Sequence, residues 1–320
     1  MKNAMTWVRA CVAALAVSWP IGAAAQADGL ALANDNREID FRWEESQFGD
    51  RTEPHSAILI PVRIEGCPKV LYMQFDLGAP ATVLTKDKAD SLAQRLPGLA
   101  AGSDGTVGRL AFAMGDIQVE ARHVRVVDVN AQAGVAWDDP DRIDVIGTIG
   151  ADLLAGRVLA IDYPRARMFV GDAVPEGLVA PDQARPFVFT PRGVVLTDVA
   201  IDDETRNIML DTGSSAFALL TDQDDWLRKT DGGAGERRFP VNSWGRTLTA
   251  HMAPTRSVAR FADTVVPLGE VAYIEGVSAA QAEAMRASGM GGMTGNKLFV
   301  EKILVLDAAR SAYAVVDPAP

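Results

Sequence analysis

Residues 208–215 read IMLDTGSS, and this stretch decides the fold of the chain. Three apolar residues run directly into Asp211, Thr212, Gly213 and Ser214, which predicts a buried strand that ends in a tight turn. Glycine lets the backbone fold closely there, and amide and hydroxyl donors can hold an ionised carboxylate in place. The turn suits a catalytic Asp211, although a purely structural turn capped by Asp and Ser has the same sequence.

An earlier segment repeats this pattern. Residues 73–82 read MQFDLGAPAT, so that strand-like residues again lead into an acid, Asp76, followed by Gly78 and the small residue Ala79. An alternating apolar stretch precedes each acid, at residues 57–64 and 194–201, with a polar break before the strand that carries the acid. Asp76 is therefore the predicted partner of Asp211.

A second pair of matching segments closes each half. Residues 147–154 read GTIGADLL and residues 292–299 read GMTGNKLF, and the later glycine leads at equal spacing to Asp162 in one copy and Asp307 in the other. The tails IDYPRARMFV and LDAARSAYAV each predict a β-hairpin with a short polar turn. Two copies of one unit, in the same order, favour the functional interpretation of Asp211 over a chance turn.

The chain resembles the bilobal aspartic proteases: it is similar to pepsins, with lobes close in pattern to retroviral-type proteases. The resemblance rests on residues 76–79 and 211–214, together with the glycine motifs at 147–150 and 292–295. It implies an all-β fold of two homologous β-barrel lobes, with a substrate cleft between them, a few short helices and one catalytic Asp from each lobe. We expect the lobes to span residues 28–178 and 179–320.

Two carboxyl groups that face each other across a pseudo-two-fold axis cannot both ionise cheaply, so Asp76 and Asp211 should share one proton. Gly78 and Gly213 permit the close turns, and Ser214 can donate to Asp211. The resemblance implies that Thr212 bonds across the lobe interface, and that Ala79 suits a retroviral-type lobe. Leu77 departs from the family pattern, because its side chain can neither donate nor accept a hydrogen bond.

The first 27 residues predict a cleaved secretory signal peptide. Lys2 and Arg9 make a positive start, residues 10–25 are apolar, and small residues around Ala25 offer a cleavage site. A membrane anchor is the alternative, but Pro20 interrupts the segment, which is shorter than the roughly twenty residues that span a bilayer. We therefore expect a periplasmic or secreted protein without a stable membrane anchor after cleavage.

Composition excludes several function classes. The formal net charge of −11 disfavours binding to nucleic acid or to an anionic membrane surface. His55, His123 and His251 lie on separate segments without metal-ligand spacing, so we expect neither a metal nor another cofactor. Beyond the leader only Cys67 remains, and no intrachain disulfide can form. We expect a monomer that binds a peptide or protein substrate.

Three further predictions concern individual segments. Residues 110–127 alternate around Gly115-Asp116 and predict a hairpin where a flap would lie, although pepsin-like flaps carry a tyrosine and this one has none. Ile39, Phe41 and Trp43 alternate as one short edge strand would, and residues 278–288 predict a helix.

Two functions fit these observations. The first is a secreted or periplasmic aspartic endopeptidase, indicated by two Asp-Xaa-Gly turns in a duplicated frame. The second is a non-catalytic peptide-binding module that retains the cleft without the chemistry, indicated by Leu77 and the missing flap tyrosine.

Overall fold

The computed structural model describes residues 30–318, except 130–132, 191–192, 244–245 and 277–289. Most of this chain is extended, which confirms the all-β class. The first eleven strands are β1 (Ala31–Ala33), β2 (Arg37–Asp40), β3 (Arg42–Phe48), β4 (Arg51–Ile64), β5 (Leu71–Phe75), β6 (Val83–Thr85), β7 (Thr106–Met114), β8 (Ile117–Val127), β9 (Val145–Ile149), β10 (Val158–Asp162) and β11 (Arg167–Gly171).

The second eleven strands are β12 (Arg185–Thr190), β13 (Gly193–Ile201), β14 (Glu204–Leu210), β15 (Arg237–Ser243), β16 (Arg246–Pro254), β17 (Val258–Phe261), β18 (Thr264–Pro267), β19 (Glu270–Glu275), β20 (Met290–Thr294), β21 (Ile303–Asp307) and β22 (Ala312–Val316). The helical elements of the described ranges are α1 (Lys86–Ala93), α2 (Gln223–Lys229) and the 3₁₀ turns Pro97–Leu99, Ala151–Leu154, Thr212–Ser214 and Asn296–Phe299.

The two halves of the chain share one arrangement of strands. In the first half β4 pairs antiparallel with β5, which runs into Asp76, and β9 lies parallel to β5. In the second half β13 pairs antiparallel with β14, which runs into Asp211, and β20 lies parallel to β14. The repeated sequence motifs therefore correspond to repeated structure.

Glycines allow chain segments to cross closely beside each acid. A Cβ atom on Gly295 would lie 2.0 Å from the carbonyl oxygen of Ser214, and one on Gly150 would lie 2.5 Å from the carbonyl carbon of Ala81. No real side chain fits at such distances, so both positions require glycine. This explains why glycine recurs at the same place in the second motif of each half.

Hairpins from both halves form one central sheet. The predicted hairpins are β10–β11 and β21–β22, and their strands run in the order β12-β22-β21-β10-β11-β2. β10 pairs antiparallel with β21, with Ala160 opposite Val305 at the middle of the register. Strands of the first half thus pair directly with strands of the second. The lobe boundary between residues 178 and 179 stays a prediction.

Burial patterns show why these segments form their strands. Along β5, Leu71, Met73 and Phe75 are buried while the residues between them are partly exposed, which is the alternation of a sheet with one face on the core. All five residues of β21 are buried instead. A strand that is apolar at successive positions fits a sheet covered on both faces.

The alternation of Ile39, Phe41 and Trp43 predicted one edge strand, whereas the structure divides this segment between two edge strands, β2 and β3. The chain leaves the strand conformation at Phe41, so that β2 joins the edge of the central sheet and β3 turns back as a hairpin with β4. The predicted helix at residues 278–288 and the leader lie outside the described residues. Within the described ranges, no helix has the length and apolar character needed to cross a membrane.

Candidate active site

The two predicted acids lie at the ends of equivalent strands. Asp76 follows β5, and its N–H donates to the carbonyl oxygen of Ile149 on the parallel strand β9 (3.0 Å). Asp211 follows β14, and its N–H donates to the carbonyl oxygen of Thr294 on β20 (2.9 Å). Asp76 is 3% exposed and Asp211 is 0% exposed, so both carboxyl groups are held inside the protein.

Backbone amides and one hydroxyl bind the carboxyl oxygens. Oδ1 of Asp76 accepts hydrogen bonds from the amides of Gly78 (2.8 Å) and Gly213 (3.1 Å). Oδ1 of Asp211 accepts from the amides of Gly213 (3.0 Å) and Ser214 (3.2 Å), and Oδ2 accepts from Ser214 Oγ (2.9 Å). The Gly213 amide is therefore shared by the two acids, which lie side by side.

Both turn glycines are needed for this approach. A Cβ atom on Gly78 would lie 2.4 Å from Oδ1 of Asp211, and one on Gly213 would lie 2.4 Å from Cγ of Asp76. Each glycine thus faces the acid of the other half, and the two carboxyl groups are hydrogen-bonded to each other. Ala79 completes the first turn, where its N–H donates to the carbonyl oxygen of Asp76 (3.1 Å).

The environment of the pair is asymmetric. Burial raises the pKa of Asp211 well above its usual range, and the neighbouring charge of Asp76 raises that pKa further. Burial also raises the pKa of Asp76, but hydrogen bonds from Asp211 and from nearby amides oppose the increase. Burial and mutual repulsion therefore favour one proton on the pair as a whole.

Thr212 braces the pair from one side. Its Oγ1 accepts a hydrogen bond from the amide of Leu77 (2.8 Å) and donates to the carbonyl oxygen of Phe75 (3.2 Å). The bond across the halves that the resemblance implied for Thr212 is therefore present. The Leu77 side chain is buried in the apolar core instead, and it has no oxygen with which to return the bond.

Asn296 is a supporting residue that the sequence interpretation missed. Its Nδ2 donates to the carbonyl oxygen of Thr212 (2.9 Å) and to Ser215 Oγ (3.0 Å), and its Oδ1 accepts from Tyr163 Oη (2.8 Å). Tyr163 lies in the turn between β10 and β11, so this network joins the central sheet to the turn that carries Asp211. The sequence did contain a signal for this role, because an Asn directly follows Gly295. The motif at residues 292–295 was interpreted from its glycines alone.

The predicted hairpin at residues 110–127 is present, but the flap interpretation is wrong. β7 and β8 form it, and a Cβ atom on Gly115 at its tip would lie 3.3 Å from Ile39 Cγ2 on β2. β2 belongs to the central sheet, so this tip is packed and is not free to close over the acids. The local alternation predicted the hairpin correctly. The surface on which the hairpin packs depends on residues far away in the sequence, which local alternation does not reveal.

The three histidines lie on different strands. His55 is on β4, His123 on β8 and His251 on β16. Within the described ranges, no three His, Cys, Asp or Glu side chains come together in a way that could hold a metal ion.

Comparisons with known proteins give a distant structural similarity. No protein-family model matches the chain, and no curated protein matches it. Among solved structures, the chain is similar to an aspartic proteinase from Irpex lacteus, with 10% sequence identity and a TM-score of 0.48 over 90% of this chain and 98% of that one. A similarity this distant does not bear on activity, which we infer from the geometry of Asp76 and Asp211.

Proposed function

We propose that the chain is an aspartic endopeptidase that hydrolyses peptide bonds with Asp76 and Asp211. The observation that carries this proposal is the pair of buried, hydrogen-bonded carboxyl groups at the ends of two equivalent strands. Burial and mutual repulsion hold one proton on such a pair, and a pair of this kind can act as acid and base at once. A purely structural turn would not require two acids from opposite halves to meet.

The proposed mechanism needs no covalent intermediate. The ionised Asp76 takes a proton from a water molecule, whose oxygen attacks the scissile carbonyl carbon, while the protonated Asp211 donates its proton to the carbonyl oxygen. When the tetrahedral intermediate collapses, Asp76 passes its proton to the leaving nitrogen and Asp211 recovers one from the hydroxyl of the new acid. Ser214 and the Gly213 amide hold Asp211 in the required orientation.

We propose further that the protein acts outside the cytoplasm as a monomer, after removal of a signal peptide at about residue 27. The support for this is the sequence of residues 1–27. N-terminal sequencing of protein recovered from periplasmic and culture fractions would test it. Recovery of the intact N-terminus in a membrane fraction would contradict it.

The decisive experiment is cleavage of a mixed peptide library by the mature protein between pH 3 and pH 8. We expect Asp211→Asn to lower cleavage by on the order of 10³-fold or more, because the variant lacks the acid that protonates the carbonyl oxygen. A statine-type transition-state mimic should block the wild type.

Asp162→Asn is the matched control, since Asp162 ends strand β10 of the central sheet and its carboxylate accepts from Arg165. It should cleave as the wild type does. If wild type and Asp211→Asn are both folded and equally inert, the chain is instead a peptide-binding module.

A further inference from the structure

The hairpin of β3 and β4 lies against the catalytic turn of the second half. Ser215, four residues after Asp211, donates from Oγ to the carbonyl oxygen of His55 on β4 (2.7 Å). Lys297 Nζ donates to Oε2 of Glu53, two residues earlier on the same strand (2.5 Å). Glu53 is buried, so the ion pair is largely shielded from water. β4 therefore packs on the segment that directly follows Asp211.

Aromatic packing fixes the tip of this hairpin. The ring of Phe48 stacks on Phe239 of β15, with a centroid separation of 4.5 Å and an interplanar angle of 18°. The Phe217 ring, six residues after Asp211, lies 6.4 Å from Phe48. Arg51 adds an ion pair with Glu270 of β19 (3.4 Å). The tip is thus wedged between the segment that follows Asp211 and the hairpin of β15 and β16.

Because the chain is duplicated, the place next to Ser215 and Lys297 can be compared with the equivalent place in the first half, which is open. Pro80 is four residues after Asp76, as Ser215 is four after Asp211, and Asp152 follows Gly150 at the spacing at which Lys297 follows Gly295. The equivalent hairpin of the second half, β12–β13, already ends at Thr190 and Gly193. A groove of about 460 Å³ lies there, lined in part by Pro80, Ala151, Asp152, Phe189, Thr190 and Gly193.

This groove begins at the first catalytic turn. A Cβ atom on Gly193 would lie 2.9 Å from the Leu77 carbonyl oxygen and 3.8 Å from the Cα of Gly78. The groove therefore adjoins the turn that carries Asp76.

The walls of the groove suit apolar side chains. Phe189 at its edge is 44% exposed, and the neighbouring Val188 is 48% exposed. The carboxylate of Asp152 already accepts hydrogen bonds from the amide (2.8 Å) and hydroxyl (2.9 Å) of Thr82. The acid is thus engaged by its own half, and the exposed aromatic and alanine surface remains for a ligand.

We propose that substrate recognition is one-sided: the β3–β4 hairpin fills the side of the cleft next to Asp211, and selectivity arises from apolar residues of the peptide that enter the groove next to Asp76. This inference rests on the proposed peptidase function. The hairpin leaves few contacts for substrate residues on its own side of the scissile bond.

Two statine-type peptides test the proposal by calorimetric titration of the mature full chain. One extends from the statine only toward its amino end and the other only toward its carboxyl end, each with apolar side chains. We expect the wild type to bind one of them at least tenfold more tightly than the other. Phe189→Ala should weaken only the tighter ligand, and Phe48→Ala should improve only the weaker one.

Phe112→Ala is the matched control, because Phe112 is equally buried but lies on β7. It should leave the ratio of affinities unchanged. Equal binding of both ligands by the wild type would overturn the proposal while leaving the peptidase function intact if the library is cleaved. No binding together with no cleavage would overturn both. If Phe48→Ala does not fold, the ratio of the two affinities in the wild type and the effect of Phe189→Ala still test the proposal.

Discussion

The hydroxyl of Thr212 is the residue-scale feature that joins the two Asp-Xaa-Gly turns. It accepts from the Leu77 amide and donates to the Phe75 carbonyl oxygen, and all three groups are buried. Thr212→Val keeps the shape of the side chain but leaves the Leu77 N–H without its acceptor. We expect a loss of about 1–3 kcal/mol in the free energy of unfolding, measured by urea denaturation.

Thr197→Val provides the control for that prediction. Thr197 also donates a hydroxyl hydrogen bond, to the Pro186 carbonyl oxygen (2.7 Å), but at an exposed position. Its loss should change the free energy of unfolding by less than about 0.5 kcal/mol. Equal effects of the two substitutions would show that the bond across the halves adds nothing to stability.

The paired acids make both cleavage and stability depend on pH. Cleavage requires one proton on the pair, so it should fall as pH rises through the raised pKa of Asp211 and fall again when Asp76 is protonated in acid. Both pKa values are higher in the folded state than in the unfolded state. The protonated pair therefore contributes fully to the free energy of unfolding below the unfolded pKa of about 4, and this contribution is lost as pH rises.

Asp211→Asn removes one of these titrating groups. The variant should therefore lose less stability than the wild type between pH 4 and pH 8, because a neutral amide replaces the acid whose ionisation burial opposes. Urea denaturation at several pH values measures the difference. Parallel curves for the two proteins would mean that the pair is not protonated in the folded state.

The crossing of segments beside each acid is the feature that matters at the scale of elements. Gly295→Ala would place a Cβ atom 2.0 Å from the Ser214 carbonyl oxygen, which is backbone and cannot move aside cheaply. We expect a destabilisation of about 3 kcal/mol or more, and loss of cleavage because Ser214 is displaced. Thermal unfolding and a peptide assay measure the two effects.

Gly108→Ala is the matched substitution on β7. A Cβ atom there meets nothing within 4 Å, and the backbone is not in the left-handed region. This variant should unfold and cleave like the wild type. An equally mild effect of Gly295→Ala would show that the crossing can relax.

Sequence predicts the elements whose signals are local. The strands entering Asp76 and Asp211 and the hairpins of the central sheet follow from alternation, turn residues and repetition, and the structure has all of them. The N-terminus of α2 shows the limit of local patterns. The spacing of Thr221 and Asp224 fits a helix-capping box. In the structure, however, the side chain of Asp222 accepts from the Asp225 amide (2.9 Å). Neighbouring polar residues compete for that role, and geometry decides between them.

Features that depend on distant contacts were not predictable from local patterns. Phe48 stands in a charged stretch, EESQFGDR, and only its packing on Phe239 and Phe217 explains why it is buried. The same limit applies to Asn296, whose partners come from the second catalytic turn and from Tyr163. A single chain sequence does not reveal which distant segments meet.

The shared central sheet is the feature that matters for the whole molecule. β10 of the first half pairs with β21 of the second along five residues, and β2 and β12 extend the sheet on either side. If the hairpin of one half unfolded, the paired strand of the other half would be left with an exposed edge. We expect a single unfolding transition in which the calorimetric and van't Hoff enthalpies agree.

Tryptophan fluorescence provides the independent check, because Trp43 lies on β3 and Trp226 on α2, in opposite halves. Two variants, one with Trp43 and the other with Trp226 as its single tryptophan, should show the same midpoint of unfolding. Two separate midpoints would mean that the halves unfold independently despite the sheet.

The pairing of β10 with β21 also bears on how such a chain could arise. The two strands are equivalent members of the duplicated unit, and they meet antiparallel, which is how two identical copies would meet across a two-fold axis. A gene for one half alone would produce a protein whose bare strand edge invites a second copy. The present molecule thus has, within one chain, the strand pairing of a homodimer. Within one chain the two halves are free to differ, and here the pairing of β3 with β4 continues to Phe48 and Arg51, whereas that of β12 with β13 ends at Thr190 and Gly193.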